Sequence, residues 1–404
     1  MKNRSEVIIC GDGLFATLCS IELQKKGVQT LRLCSSDIFF AHSQKGLGVF
    51  WSTQPDPPTR AEVAHGHELA VYLNSFLARG VQLAQAKMQE LSSSQASFQA
   101  DFQKIPTLRL ALQTHEVSEL KKAETSFDSL KRVADTTVSA QIWSEPDSLL
   151  LHKFEPLAEA LLHEEPEHSR RFAPVTQINE KGTHVEAVAA DGQVYVSEVC
   201  VLGAGANSGK ILPRYESVVI PVNDALTRAK FKITPLNAQA EALCFRASSG
   251  HVSGVLQARS DELSLELTGP RYALPLAGIG NFHADELPKI NATVWEQIQK
   301  VCPAMIEALL ATAFSSVNPK VGCDFKTALL LEQHVYTDCL PCDELPLLGE
   351  WGTKGRILGN AGWLGCGHSA AFEAARIVCE LVLNGKSTDL HPLLSPKRLQ
   401  SMSF

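Results

Sequence analysis

The sequence predicts an α/β protein in which a domain with a mostly parallel sheet, built from separated segments, is interleaved with an α+β domain that contains an antiparallel sheet. Three observations lead to this prediction. The chain opens with a strand, a glycine turn, a helix and a second strand within residues 5–40. Short β-like runs alternate with turns over residues 218–275, which is typical of an antiparallel sheet. Buried strands that end in glycine turns recur at residues 199–205 and 345–367, which indicates that the chain returns to its first domain.

The opening unit has the pattern of a dinucleotide-binding site. Residues 7–10 form a continuous apolar run, and apolar residues at i, i+4 and i+7 from position 14 predict a helix that ends at Gly27. Between strand and helix, Gly11 permits a tight turn and Gly13 lets a pyrophosphate approach the backbone. Ala16 is small enough for the helix to pack on the strand. The helix N-terminus then offers free N–H groups to the phosphates.

The end of the second strand departs from this pattern. A dinucleotide site usually has Asp or Glu there, which binds the adenosine ribose. Here the strand over residues 30–34 ends in Cys34. The hydroxyl of Ser35 and the carboxylate of Asp37 are the candidates to replace the missing acid. No Arg follows Cys34, so a ribose 2′-phosphate is not favoured.

Length and composition indicate a globular protein of two or three domains. The chain has 404 residues, of which 45% are hydrophobic and 20% charged, and its formal net charge is −7. This negative charge argues against a nucleic-acid or acidic-membrane partner. The first residues lead directly into a strand, and no apolar run is long enough to cross a bilayer. We therefore expect a cytoplasmic protein without a signal peptide.

The eleven Cys residues are scattered along the sequence. Several lie in apolar strand or helix patterns, which predicts buried, reduced thiols. Only Cys339 and Cys342 have the spacing of a motif. Because there is no second pair and no cluster of His, we predict no zinc or other metal site. A redox dithiol stays open as an alternative.

The C-terminal region contains a third glycine turn. Short apolar strands over residues 345–349 and 356–359 lead to Gly362, Gly365 and Gly367, and a helix follows from about residue 370 to 383. Such glycines leave main-chain N–H groups exposed before a helix N-terminus, which suits a flat, electron-rich ring. The alternative is a strand-to-helix loop that needs glycine only for its geometry.

These three glycine turns, in this order and separated by a β-rich insertion, resemble the D-amino-acid oxidase, glycine oxidase and sarcosine oxidase family of FAD-dependent oxidoreductases over nearly the whole chain. The resemblance implies a Rossmann-like FAD-binding domain over residues 1–45, 145–215 and 335–395, and a substrate domain over residues 46–144 and 216–334. It also implies that FAD is held non-covalently. The implied FAD-binding residues are Gly11, Gly13, Leu14, Ala16, Cys34, Ser35, Ser43, Gln44, Val175, Ala204, Gly205, Gly362, Trp363, Leu364, Gly365, Cys366 and Gly367.

The resemblance further implies a reaction. A hydride leaves a carbon next to an amine and is delivered to flavin N5, and oxygen or another acceptor then reoxidises the flavin. The substrate would be a small amine or an amino-acid-like compound. No dedicated general base is required if the amine binds in its neutral form.

The implied substrate pocket differs from that of the family. Aligned on Asp343, the family's carboxylate-binding Arg falls on Asp338, and this reversal of charge prevents a bidentate clamp. Asp338 either attracts a cationic amine or is a solvated turn residue. Arg271 is the nearest replacement cation, with a surface ion pair as its alternative role. Tyr336 is a further candidate, and Trp363, which replaces the family's His, either packs against the flavin or contacts the substrate.

We therefore expect an FAD-dependent oxidoreductase that oxidises a C–N bond of a non-standard substrate. Two alternatives stay open. The first is a catalytically silent FAD-fold partner subunit, which the missing ribose acid and the missing Arg favour. The second is a flavoprotein with different chemistry, such as hydroxylation or dithiol oxidation through Cys339 and Cys342.

Overall fold

The computed structural model describes residues 4–35, 46–55, 58–95, 98, 101–111, 114–133, 141–232, 241–247, 253–259, 262–268 and 329–401. Within these ranges the chain forms one mostly parallel sheet and one mostly antiparallel sheet. The α/β class predicted from the sequence is confirmed.

The first sheet contains eight strands, and its central strands are parallel. In spatial order its main path is β16 (Leu347–Glu350), β17 (Ile357–Ala361), β10 (Val194–Leu202), β1 (Arg4–Cys10), β2 (Thr30–Cys34) and β7 (Arg170–Phe172). The hairpin of β8 (Val175–Glu180) and β9 (Val185–Ala189) extends the sheet by pairing with the first half of β10. The carboxyl ends of β1, β2 and β10 therefore lie at one edge of the sheet, where a ligand usually binds in this type of fold.

The second sheet contains nine strands in the described ranges, and its pairs are antiparallel except for β4 with β12. Its order is β15 (Leu329–Pro341), β11 (Val219–Lys232), β14 (Glu262–Thr268), β13 (Ser253–Arg259), β12 (Glu241–Ala247), β4 (Phe102–Ala111), β6 (Gln141–Leu151) and β3 (Val49–Phe50). The short β5 (Lys131–Arg132) pairs with β6. β6 and β15 extend across the predicted domain boundaries at residues 145 and 335, and the boundaries themselves stay predictions.

The helices are α1 (Leu14–Lys25), α2 (Pro58–His65), α3 (His67–Ser94), α4 (Thr114–Ser126), α5 (Glu155–Glu164), α6 (Ser208–Ile211) and α7 (Gly367–Asn384). α7 packs against both α1 and α3. The contact with α3 is close, because a Cβ at Gly80 would lie 2.0 Å from the carbonyl oxygen of Ser369. No helix within the described ranges combines the length and the hydropathy that crossing a bilayer requires.

Most predicted elements of the first sheet occur at the expected positions. The strand predicted over residues 30–34 is β2, and the helix predicted from residue 14 is α1. The predicted start of the last helix near residue 370 is wrong, because α7 begins at Gly367. The first N–H groups of a helix need no intrahelical partner, so a Gly, a His and a Ser can form the first turn without the apolar period of the later turns.

Candidate functional site

The first and second glycine turns lie against each other at the carboxyl ends of β1 and β10. A Cβ at Gly11 would lie 2.3 Å from the carbonyl oxygen of Gly203, and Gly11 has a positive φ of 149°. A Cβ at Gly203 would lie 3.1 Å from the Cβ of Ala16. The N–H of Gly203 donates to the carbonyl oxygen of Cys10 at 2.8 Å. Glycine at the two turns and a small residue at position 16 therefore let two backbones and a helix meet.

The start of α1 leaves room for a ligand. Gly13 is the N-cap residue of α1, so no N-cap side chain accepts a hydrogen bond from the helix N-terminus. A Cβ added at Gly13, or at Gly205 in the second turn, would meet nothing within 4 Å. The first turn of α1, which begins at Leu14, contains no acidic residue. Free N–H groups, a partial positive charge and open space above glycine fit a pyrophosphate.

The end of β2 does not supply the ribose acid. Cys34 is buried, and burial is the main reason that the pKa of its thiol is raised to about 12. A carboxylate nevertheless lies at this place, because the Asp12 side chain accepts hydrogen bonds from the N–H of Ser35 at 2.8 Å and from its hydroxyl at 2.5 Å. Sequence reasoning did not place the Asp12 carboxylate at the end of β2. The available signal was an acid between the two glycines, since parallel β1 and β2 end side by side.

A buried ion pair lies beneath the first turn. Arg32 of β2 donates from Nε and Nη2 to the Glu165 carboxylate at 2.8 and 2.6 Å, and both side chains are fully buried. Arg32 Nη1 also lies 3.4 Å from the carbonyl oxygen of Gly11. The pair therefore connects β2, the end of α5 and the first turn. Sequence reasoning missed it because its members lie 133 positions apart.

Two further predicted contacts lie at the same edge of the first sheet. Val175 begins β8, and the nearby N–H of Ala173 donates to the carbonyl oxygen of Cys34 at 2.9 Å. Ala204 follows β10, and both Val175 and Ala204 pack against the core around Leu33. The predicted contacts at Ser43 and Gln44, the ribose candidate Asp37 and the substrate candidate Arg271 lie outside the described residues.

The third glycine turn is closely packed at its start and open at its end. Gly362 has φ 82°, and a Cβ there would lie 2.4 Å from Cγ of Pro341, the last residue of β15. Leu364 and Gly365 follow with φ 46° and 78°. For Leu364 this left-handed conformation costs about 1–2 kcal/mol. At Gly367, where α7 begins, a Cβ would meet nothing within 4 Å.

The end of the third turn contacts a buried arginine of the second sheet. Cys366 is the N-cap residue of α7, and Arg246 Nη2 donates to its Sγ at 3.1 Å. Arg246 also donates to the carbonyl oxygens of Thr53 and Gln54, at 2.5 and 2.6 Å, and lies 3.9 Å above the ring of Trp51. Burial lowers the pKa of Arg246, although it stays a strong base. These contacts join the loop of residues 51–55 to the start of α7.

A second buried arginine holds the same loop. Arg109 pairs with the Glu145 carboxylate and donates to the carbonyl oxygens of Gln54 and Pro55, each at 2.8 Å. In the pairing registers Arg246 lies opposite Arg109, and Glu145 lies opposite Thr107. Both arginines and the glutamate therefore project from one face of the second sheet. We call Arg109, Glu145 and Arg246 the arginine cluster, and sequence reasoning did not find it.

The candidate substrate residues are spread over this region. Trp363 is buried and stacked on Phe76 of α3, with centroids 4.5 Å apart and planes at 17°, and its indole N–H donates to Asn360 at 2.5 Å. These are packing contacts. Asp338 is half-buried in β15, where its carboxylate accepts the N–H of Cys339 at 2.8 Å. Tyr336 lies two residues earlier in the same strand.

Asp338 and Arg246 project from the same face of the second sheet. The registers connect them through β11, β14 and β13. Within the sheet, four strand spacings separate them.

Comparisons with known proteins identify the fold. No protein-family model matches the sequence, and no curated protein matches it. Solved structures do match over nearly their full length. Glycine oxidase from Geobacillus kaustophilus has a TM-score of 0.68 at 15% identity, with 97% of this chain and 98% of that chain covered. Iminodiacetate oxidase from Chelativorans sp. BNC1 has a TM-score of 0.66 at 15% identity, covering 96% and 98%. L-proline dehydrogenase from P. horikoshii also has 0.66 at 15%, covering 99% of each chain.

The chain has the fold of the D-amino-acid, glycine and sarcosine oxidases. The resemblance predicted from the three glycine turns is confirmed for the fold. In this oxidase fold the two open helix starts, at Gly13 and Gly367, belong to the first sheet and its helices, and the second sheet presents the arginine cluster towards the start of α7.

The pair Cys339 and Cys342 has little thiolate character in this fold. Cys339 is buried and packs with the core of the first sheet, and burial raises the pKa of both thiols. A thiol is the weaker nucleophile when it stays protonated, so these positions are poorly suited to dithiol chemistry. Among the described residues, no group of three or more His, Cys, Asp or Glu is placed to hold a metal ion.

Proposed function

We propose that the protein is an FAD-dependent oxidoreductase that oxidises a C–N bond of an amine or amino-acid-like substrate. One observation carries this proposal: in an oxidase fold, two helices begin next to glycines above which space is open, α1 after Gly13 and α7 at Gly367, and neither N-cap residue makes a side-chain hydrogen bond to the helix N-terminus. The first suits a pyrophosphate and the second an electron-rich ring. When bound, FAD would supply the capacity to accept a hydride from a carbon next to nitrogen.

The chain's own groups would bind and orient the cofactor. The N-terminus of α1, together with Gly11 and Gly13, would hold the phosphates, and Ala204 and Gly205 would border them. The third turn, from Gly362 to Gly367, would border the ring, with open space at Gly367. The stack of Trp363 on Phe76 would keep that turn in place, because it fixes the turn against α3. The second sheet would cover the ring and exclude water.

We further propose that the substrate is non-standard for this fold. Glycine, L-proline and iminodiacetate, for which the similar structures are named, all carry a carboxylate. Position 338, where the family has its carboxylate-binding Arg, is an aspartate in this chain. On the same face, Arg109 and Arg246 are engaged with Glu145 and with main-chain carbonyls. Arg228 of β11, on that face as well, pairs with Glu266. This charge distribution supports a substrate that binds through its amine.

The first experiment is a visible spectrum of the purified protein, followed by anaerobic titration with a panel of amines and amino acids. We expect flavin bands that bleach with one class of compound. Exposure of the reduced protein to air, with measurement of hydrogen peroxide, then tests oxygen as the acceptor against another acceptor. A protein that takes up no FAD would contradict the proposed function.

A second candidate function is a catalytically silent FAD-fold partner subunit. The observation that favours it is Asp338, since the usual carboxylate clamp is missing. The same titration separates the candidates, because a silent subunit would show flavin bands that no compound bleaches. Co-purification of a second protein chain with the flavoprotein would add support to this reading.

A further inference from the structure

Asp12 is a charged residue at the centre of the first glycine turn. It lies between Gly11 and Gly13, directly before the free N-terminus of α1. A carboxylate in this place needs an explanation, because it brings a negative charge next to the open space that suits phosphate groups. Its hydrogen bonds to the N–H and hydroxyl of Ser35 show where the charge is held.

We infer that Asp12 is the carboxylate that binds the adenosine ribose of the dinucleotide, in place of the acid that is missing at Cys34. This inference rests on the proposed function, because it takes FAD to be the ligand. If Asp12 binds the ribose, the absence of an acid at Cys34 no longer favours a catalytically silent subunit. The acid is present at the end of β2, but it comes from the first turn.

The carboxyl ends of β1 and β2 lie next to each other. β1 and β2 are parallel neighbours, with Cys10 paired to Leu33, so the first turn and Ser35 emerge side by side. The carboxylate of Asp12 spans this gap. A residue at the end of β2 and a residue inside the first turn can therefore present a carboxylate at the same edge of the sheet.

The Asp12 carboxylate can accept more hydrogen bonds than it receives from Ser35. Each Asp12 oxygen accepts one bond from Ser35. A carboxylate has about four lone-pair sites, so about two are left for further donors. The side chain is half-buried, so it is accessible to a ligand. Two vicinal hydroxyl groups of a ribose match this capacity.

The charges around the first turn allow a carboxylate to lie close to a pyrophosphate. Beneath the turn, Arg32 and Glu165 form a neutral pair, so they add no net negative charge. The N-terminus of α1 has a partial positive charge that offsets the repulsion between Asp12 and a pyrophosphate. A carboxylate at this position would also reject a 2′-phosphate. Because the proposed contact is with the adenosine ribose, Asp12 favours FAD over FMN, which has no adenosine ribose.

The test compares ligand affinities of the apoprotein with and without the Asp12 charge. For Asp12→Asn we expect FAD to bind about 10-fold to 100-fold more weakly, the usual range for lost hydrogen bonds to a charged group. Binding is measured by quenching of flavin fluorescence. FMN affinity should be unchanged. Wild type should prefer ADP to 2′-deoxy-ADP in competition with FAD, and Asp12→Asn should lose this preference.

The chain offers a matched control and a rescue. Glu6 accepts the N–H of Gln29 at 2.7 Å, at the opposite edge of the same two strands, so Glu6→Gln should leave FAD affinity unchanged. The double variant Asp12→Gly with Cys34→Glu moves the acid to the end of β2 and should bind FAD more tightly than Asp12→Gly alone. Circular dichroism and thermal unfolding of each apoprotein verify that the variants are folded.

Two results would overturn the inference. If wild type binds FAD and Asp12→Asn binds it equally well or better, Asp12 does not bind the ribose, and the proposed function is unaffected. If wild type does not bind FAD at all, the proposed function fails and the inference fails with it.

Discussion

The edge of the first sheet and the arginine cluster of the second sheet present different chemistry. At the edge, the glycine turns let backbones meet, and Gly13 and Gly367 have open space above them. In the cluster, the charged groups of Arg109, Glu145 and Arg246 are buried and hydrogen-bonded to side chains and to a neighbouring loop. The first arrangement is suited to accept a ligand of fixed shape. The second is suited to hold the loop of residues 51–55 in one conformation next to the start of α7.

The largest effect should come from breaking the arginine cluster. Glu145→Gln leaves Arg109 and Arg246 buried without a carboxylate, so we expect the free energy of unfolding to fall by about 3–5 kcal/mol. Urea denaturation measures it. The control is Glu262→Gln, which breaks the partly exposed pair with Lys230 and should cost less than about 1 kcal/mol. Equal effects of the two substitutions would show that the cluster is not held by its charges.

The next prediction separates FAD binding from stability at Gly13. Gly13→Ala adds a methyl group where space is open and φ is −83°, so the apoprotein should keep its stability within about 0.5 kcal/mol. FAD affinity should fall at least about tenfold, since the methyl group occupies the place of the phosphates. The control Gly182→Ala also adds a methyl group in open space, in the turn between β8 and β9, and should leave both quantities unchanged. Unaltered FAD binding by Gly13→Ala would exclude this helix start as the phosphate site.

A third prediction concerns Asp338 in β15, which lies four strands away from Arg246 in the second sheet. Asp338→Arg places a cation where the resemblance predicts a carboxylate-binding Arg, and we expect small carboxylates to bind about tenfold more tightly. Titration of the flavin absorbance with a series of carboxylates measures this. An Asp338→Asn variant separates loss of the negative charge from gain of the positive one. Unchanged affinities in both variants would place Asp338 outside the pocket.

The smallest effect on stability is expected at Glu180, whose carboxylate accepts hydrogen bonds from main-chain N–H groups away from the glycine turns. Partial burial alone would raise the pKa of Glu180, but hydrogen bonds from Arg356, Thr353 and Lys354 lower it below its usual value. This group therefore stabilises the fold above the unfolded-state pKa, and the stabilisation is lost as the pH falls through the lower folded-state pKa. Glu180→Gln should cost about 1 kcal/mol at pH 7, discounted for solvent exposure.

The pH dependence makes this last comparison specific. As the pH falls through the lowered folded-state pKa of Glu180, the wild-type carboxylate becomes protonated, so the stability difference between wild type and Glu180→Gln should shrink. Because the Glu180 contacts precede β17, at the edge away from the glycine turns, FAD affinity should not change. A stability difference that is constant from pH 7 to pH 3 would contradict the assigned hydrogen bonds.

The sequence by itself determined the three glycine turns and the strands and helices around them. These features depend on short-range rules: an apolar run, a glycine where backbones meet, and a helical period after it. For that reason β1, α1 and β2 were predictable without contacts, whereas the oxidase fold was predicted from the resemblance of the three glycine turns to a known family.

Only the tertiary structure decided which side chains complete the site. Arg246 and Thr53 are 193 positions apart, and Asp12 and Ser35 meet because β1 and β2 are adjacent parallel strands. The packing of Trp363 on Phe76 depends on how α3 crosses the third turn. Such contacts arise when distant segments bury their surfaces together, and no local pattern in the chain specifies the partner of a polar side chain.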